Sequence, residues 1–202
     1  RAKMSKNNLI LETKKIFSNR FNSLPEIISI APGRINIIGE HVDYSGGLAM
    51  PAAIDKYVCV AISINKTKTV NAYTSTLDEM YSDNIESLDK RELWHKYLIG
   101  SILEGLGGVN LNVGLDIAIH SDLPMGKGLS SSAALEVSVI NGIVNLFNLE
   151  ISDKEIIERC QRVDHKHIGV FSGTLDQSAS KLSKRNSLLM LDFRDNSFKY
   201  ID

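Results

Sequence analysis

Residues 113–149 read VGLDIAIHSDLPMGKGLSSSAALEVSVINGIVNLFNL. Residues 113–120 alternate as a strand does, and the residues after the serine run are mostly apolar over a helical length, to about Leu149. Between them, glycines precede three serines where the helix begins. A helix N-terminus presents unpaired N–H groups and the positive end of the macrodipole, so this strand, glycine turn and serine-fronted helix predict a phosphate cradle. One serine would be explained as an N-cap, whereas three after Gly-Lys-Gly are better explained by an anion. The GxxxxGKS/T order of a Walker loop is absent, as are the HRD and DFG strings of protein kinases, so the cradle belongs to another fold.

Outward from this segment, residues 27–31 (IISIA) form a short strand broken by Pro32-Gly33, a polar stretch covers residues 40–47, and residues 57–64 (YVCVAISI) give a clear strand. Residues 69–75 are expected to be its antiparallel neighbour. Leu93, Tyr97, Ile99, Leu103 and Leu106 recur near helical spacing, and Gly107-Gly108 ends that helix. Ser152 with Glu155 opens a further helix through about Ile168, and residues 187–193 (SLLMLDF) form a last strand. Strands and helices mix without strict βαβα alternation, which makes the class α+β.

The 202 residues suffice for one domain with a real core, and 43% hydrophobic with 23% charged residues is ordinary globular usage. Lys plus Arg number 23 against 24 Asp plus Glu, so no global field draws the chain to nucleic acid or an anionic membrane, and any phosphate site must be local. Cys59 and Cys160 form no CxxC pair, which fits a reducing cytoplasm and no zinc set. The apolar stretch of residues 9–11 is too short for a signal-peptide core, and Glu136, Asn141 and Asn145 break the run of residues 133–147, so no membrane span is expected.

Two further segments carry chemistry. Residues 32–47 (PGRINIIGEHVDYSGG) crowd Arg34, Glu40, His41 and Asp43 among glycines; solvated loop is the ordinary reading, but these groups are the donors and acceptors that vicinal sugar hydroxyls require. In residues 163–180 (VDHKHIGVFSGTLDQSAS), helical spacing puts Ile157, Cys160, Asp164 and Ile168 on one stripe. A carboxylate on that apolar face needs a partner, either a structural Arg or Lys or a magnesium ion. His165 and His167 point to different helix faces and read as surface histidines, and Asp176 alone could be a helix N-cap.

Taken in order and at their separations, residues 33–47 (GRINIIGEHVDYSGG), residues 124–134 (PMGKGLSSSAA) and residues 172–177 (SGTLDQ) resemble the galactokinases, in the sugar-kinase branch of the GHMP kinase superfamily. The resemblance implies a two-domain α+β kinase whose N-terminal domain is ribosomal protein S5 domain 2-like, with a mixed sheet packed against helices. Residues 1–202 would be that domain, with the galactose-binding signature at 32–47 and the ATP phosphate loop at 124–134. The family is about twice this length, so the chain is expected to be a fragment whose C-terminal domain is missing.

The resemblance further implies phosphorylation of galactose on its C1 hydroxyl, with ATP as co-substrate and Mg²⁺ as cofactor. Glu40, His41 and Asp43 would bind the sugar, with Val42 in the same segment and Gly173 approaching through its backbone. Gly126, Lys127, Gly128, Leu129, Ser130, Ser131 and Ser132 would wrap the triphosphate, and Trp94 in WHKYLIG (residues 94–100) would pack on the adenine. Ser132 and Asp164 would hold the metal, Asp176 would be the catalytic aspartate and Arg34 its cationic partner. The sequence departs from the family pattern at Asp164, where glutamate is usual, and at Phe171, Ser172 and Leu175, where Pro, Cys and Met are usual. Other members of the branch act on N-acetylgalactosamine, galacturonate or arabinose, and a non-catalytic sugar-binding regulator would be a different class. Asp43-Tyr44-Ser45-Gly46-Gly47 favours plain galactose, and the serine run with Arg34 and Asp176 favours turnover.

Overall fold

A computed structural model describes residues 5–88, 92–124 and 126–201. In chain order these hold α1 (Lys6–Phe21), β1 (Ile27–Ile38), β2 (Leu48–Asn65), β3 (Thr69–Thr74), β4 (Glu79–Asn84), α2 (Leu93–Leu106), β5 (Gly114–Ser121) and α3 (Ser131–Leu146). Then follow α4 (Asp153–Arg162), a π-helical turn (Val163–Ile168), α5 (Leu175–Leu182), β6 (Leu188–Asp192) and β7 (Ser197–Ile201). The strands form one mixed sheet in the order β4-β3-β5-β2-β6-β7, with β1 paired to β2 off that path. The class is α+β, as expected.

Alternation along β2 and β5 explains the layering. Val58, Val60 and Ile62 of β2, with Leu115, Ile117 and Ile119 of β5, face α2 and α3 in the main core. The intervening Ala61 and Ala118 face the other way, and their small side chains make room for the fully buried Phe17 of α1. Helix α1 was not evident from the sequence because its buried stripe is only Leu9, Thr13 and Phe17, one residue per turn. Its ends are conventional: Ser5 Oγ accepts from Asn8 N at 3.2 Å, and Asn22 is left-handed.

Five expectations need correction. Strand β3 is not the neighbour of β2: β5 lies between them, antiparallel to β2 and parallel to β3, because β5, with Leu115, Ile117, Ala118 and Ile119 all buried, is the strand covered on both faces. Pro32-Gly33 does not end β1, since among the described residues β1 pairs only with β2, and a register shift between Pro32 and Arg34 absorbs the proline on the unpaired edge. Strand β2 starts at Leu48 rather than near residue 57, and α3 ends at Leu146. Strand β6 is not the last, for β7 pairs with it antiparallel.

Helix α4 passes into the π-helical turn, which keeps Ile157, Cys160 and Asp164 all buried, as the stripe required. The same turn carries His165 and His167 inward rather than onto the surface. His165 Nε2 lies 2.9 Å from the Ser172 carbonyl, and His167 packs against Gly100 with its Nε2 3.5 Å from Glu104 Oε1. Glu104 of α2 gathers this region, accepting from Arg162 Nε at 2.8 Å and from Lys166 Nζ at 3.3 Å. Burial pushes its carboxyl up, but the bonds from Arg162 and Lys166 outweigh burial and hold it below the ordinary value.

Glu104→Gln is therefore expected to lower stability at pH 7 by about 1–2 kcal/mol. A depressed folded pKa contributes stability above the unfolded value and loses it as pH falls through the folded one. Denaturant titrations should thus show a constant wild-type to mutant gap above pH 4.5 that shrinks in more acid solution. An equal gap at pH 7 and well below pH 4 would mean that the charge of Glu104 contributes nothing.

Candidate active site

Strand β1 runs directly beneath the glycine-serine loop. A Cβ on Gly33 would sit 2.7 Å from the Leu129 carbonyl oxygen and 2.5 Å from the Leu123 side chain, so glycine is what permits the approach. The next residue uses it: Arg34 N donates to Leu129 O at 3.1 Å, and Arg34 Nη1 donates to Gly128 O at 2.9 Å. Its remaining nitrogens turn to the first turn of α5, where Nε donates to Asp176 Oδ1 at 2.8 Å and Nη2 forms an ion pair with the same oxygen at 2.6 Å. Thr174, not Asp176, is the N-cap of α5, so the carboxylate is not consumed in capping. Ser130 Oγ donates to the other oxygen, Asp176 Oδ2, at 2.5 Å. The Asp176 side chain keeps 34% of its surface exposed and is open to a ligand.

Between β1 and β2 the chain turns tightly, with Ser45 N and Gly47 N both donating to Val42 O. The Val42 side chain packs on the small core of Ala49, Leu175, Leu189 and Leu191, so it anchors the turn rather than lining the cleft. His41 is held at φ 57°, a left-handed conformation uncommon outside glycine and asparagine. Glu40, His41 and Asp43 thereby face one cleft of about 300 Å³ with Arg34, Gly173 and Asp176. Asp43 lies so close to Gly173 that a Cβ there would meet Asp43 Oδ2 at 2.1 Å, and Leu175 N donates to that same oxygen at 3.3 Å. Any side chain at position 173 must displace Asp43.

Ser132 and Asp164 line the same cleft. Among the described residues no Arg or Lys pairs with Asp164; its donors are Ser172 Oγ at 2.6 Å and Gln177 Nε2 at 3.0 Å. Behind it lies Glu136, fully buried on α3 one turn after Ser132, which accepts from Gln177 Nε2 at 3.3 Å and leaves Oε1 without a hydrogen bond. Burial and then the neighbouring Asp164 push the Glu136 carboxyl well up, burial raises Asp164, and Tyr97 is pushed up to about 12 by burial and both carboxylates. The sequence reading used Glu136 only to exclude a membrane span and passed over Gln177. The signal available was i, i+4 spacing, which puts Glu136 on the face of Ser132.

A second cleft of about 470 Å³ lies on the far side of Ser132, lined by Trp94, Tyr97, Leu135, Gly126, Ser131 and Ser132. Trp94 is fixed there by donation from Nε1 to Glu79 Oε2 at 2.5 Å. No side chain caps the start of α3, so its N–H groups remain available between the two clefts. Lys127 is exposed and lines neither cleft, and Leu129 packs on the core with its carbonyl bound to Arg34. Met125 lies outside the described residues.

Residues 95–184 match the family model of the GHMP kinases N terminal domain, which sets the class of the fold. Residues 15–64 match the galactokinase galactose-binding signature. With this signature and a GHMP kinase N-terminal domain in one chain, the protein is similar to the galactokinases of the GHMP kinase superfamily. It is 34% identical over 194 residues to the galactokinase of Clostridium perfringens, covering 93% of this chain and 50% of that protein. It is 36% identical over 188 residues to the galactokinase of Haemophilus influenzae, covering 92% and 49%. A crystal structure of Lactococcus lactis galactokinase complexed with galactose superposes with a TM-score of 0.85 at 30% identity, over 95% of this chain and 51% of that one. Mevalonate kinase of Methanococcus jannaschii shares the fold, with a TM-score of 0.75 at 22% identity over 87% of this chain and 56% of that one. The chain spans about half the length of the curated relatives it matches. Among the described residues no helix is long and apolar enough to cross a membrane.

Proposed function

We propose that this chain is the sugar-binding and phosphate-binding part of an enzyme that transfers the γ-phosphate of ATP to the C1 hydroxyl of galactose. One observation carries the reading. Asp176, gripped by Arg34, opens onto the cleft lined by Glu40, His41 and Asp43, and Ser132 at the uncapped start of α3 borders that cleft. Galactose would lie against Glu40, His41, Asp43 and Gly173. ATP would place its adenine near Trp94 and its phosphates on the loop of residues 126–132. The Lactococcus lactis relative, crystallised with galactose, supports the sugar assignment.

In the proposed reaction Asp176 accepts the proton of the C1 hydroxyl as that oxygen bonds to the γ-phosphorus, and the bond to the ADP oxygen breaks. Arg34 holds the base and supplies positive charge beside the transferring group, while the amides at the start of α3 hold the phosphates. The oxygen-only donors Ser132 and Asp164 suit a magnesium ion, and among the described residues Asp164 has hydroxyl and amide donors but no Arg or Lys to neutralise it, so the residues fit the metal. When bound there, it would neutralise phosphate charge.

The assignment is tested by coupled ADP-release assays of the complete enzyme with a sugar panel. Galactose should give the highest kcat/KM, above N-acetylgalactosamine, galacturonate and arabinose. A different preferred sugar would reassign the site, and no turnover with any sugar would favour a regulator. Asp43→Ala should weaken galactose binding by about 1–3 kcal/mol, the cost of a buried hydroxyl left without its acceptor, with little effect on ATP. Unchanged galactose affinity in calorimetry would place the sugar elsewhere.

A further inference from the structure

Ser130 is the first serine of the run, and its geometry is odd for the N-cap that it occupies. An N-cap serine normally has extended backbone and accepts a hydrogen bond from the second or third N–H of its helix. Ser130 is left-handed instead, at φ 56°, makes no such bond, and is 9% exposed. Its hydroxyl points across to α5 and donates to Asp176 Oδ2. A conformation that is costly for a residue with a Cβ is thus retained where it aims one hydroxyl at one carboxylate.

The donor count on Asp176 sharpens this. A carboxylate oxygen accepts about two hydrogen bonds. Oδ1 already takes one from Arg34 Nε and has the charged Nη2 against it at 2.6 Å, whereas among the described residues Oδ2 takes only that of Ser130. We propose that Ser130 is a positioning residue for Asp176 rather than a phosphate ligand through its side chain, and that Oδ2 is the oxygen that receives the substrate proton. The inference rests on the kinase reading above. Arg34 fixes one end of the carboxylate and Ser130 fixes its rotation, leaving one lone pair of Oδ2 open to the cleft. When the C1 hydroxyl gives up its proton, that proton goes to Oδ2, and Ser130 keeps its own. Ser130 thereby ties the loop that would hold the nucleotide to the base that would act on the sugar, two elements 46 residues apart in sequence.

The test is a double-mutant cycle in the complete enzyme. Ser130→Ala should lower kcat about 10- to 100-fold, the range for losing one hydrogen bond to a charged group, while ATP affinity by calorimetry changes less than about threefold. Ser130→Gly, which accepts the left-handed backbone without strain and so keeps the loop folded, should match it. In the Asp176→Asn background either change should alter the residual single-turnover rate less than about threefold, because the group through which Ser130 acts is gone. A full-sized Ser130 effect persisting in that background, or a large loss of ATP affinity in Ser130→Gly, would overturn the inference and leave the kinase reading standing. Wild-type enzyme without galactose-dependent ADP release would overturn both, since no base would remain to be positioned.

Discussion

Asp176→Asn in the complete enzyme is expected to cut kcat by about 10²-fold or more while galactose still binds. The substitution is nearly isosteric. The asparagine carbonyl keeps an acceptor for Arg34, and Ser130, which can donate or accept, still has a partner, so the constellation should hold its shape. What disappears is the ability to take up a proton as the C1 oxygen bonds to phosphorus. The proposed sugar contacts are Glu40, His41, Asp43 and Gly173, on elements separate from α5, so galactose affinity should fall little. Steady-state kinetics with galactose calorimetry separate the two effects. A mutant with near wild-type kcat would remove Asp176 from the role of base, and a mutant that lost galactose binding would make it a sugar ligand.

The 202-residue polypeptide by itself is expected to show no more than a trace of the activity of the complete enzyme. The curated relatives are twice its length, and both clefts are open on this domain. In-line transfer needs the acceptor oxygen held against phosphorus in a water-poor site, and effective molarity falls steeply when one wall is absent. The surface agrees with a missing cover. Phe171 is 85% exposed, Tyr44 66% and Ile38 65%, and Phe171 and Tyr44 line the cleft that holds Asp176. These side chains should make the isolated domain prone to self-association, measurable by light scattering. Weak ATP binding should survive, because helix-terminus amides act locally. Galactose-dependent ADP release by this polypeptide at a rate near that of the complete enzyme would show the domain to be self-sufficient.

The chemistry was more legible in the sequence than the topology. Arg34, Asp43 and Asp164 stand in segments whose residue types are odd for ordinary loops or apolar faces, whereas Asp176, which alone reads as a helix N-cap, was marked out by the family resemblance, and the structure brings all four to one cleft. The place of β5 between β2 and β3 could not be read, because sheet order depends on which strand is buried on both faces, and the short link between β2 and β3 suggested a hairpin. Helix α1 escaped because one apolar residue per turn leaves little amphipathic signal. The buried Glu136 and the engagement of Ser130 with Asp176 escaped for a different reason. Both depend on contacts between α3 and elements more than forty residues away in sequence, which no local pattern encodes.

The most direct test of the proposed activity is the identity of the product. Complete enzyme incubated with galactose, ATP and Mg²⁺ should give one new ³¹P resonance, coupled to the anomeric proton of the sugar, in step with the appearance of ADP. Phosphate attached at another carbon, or ADP accompanied only by inorganic phosphate, would contradict C1 transfer by Asp176 and the cleft around it.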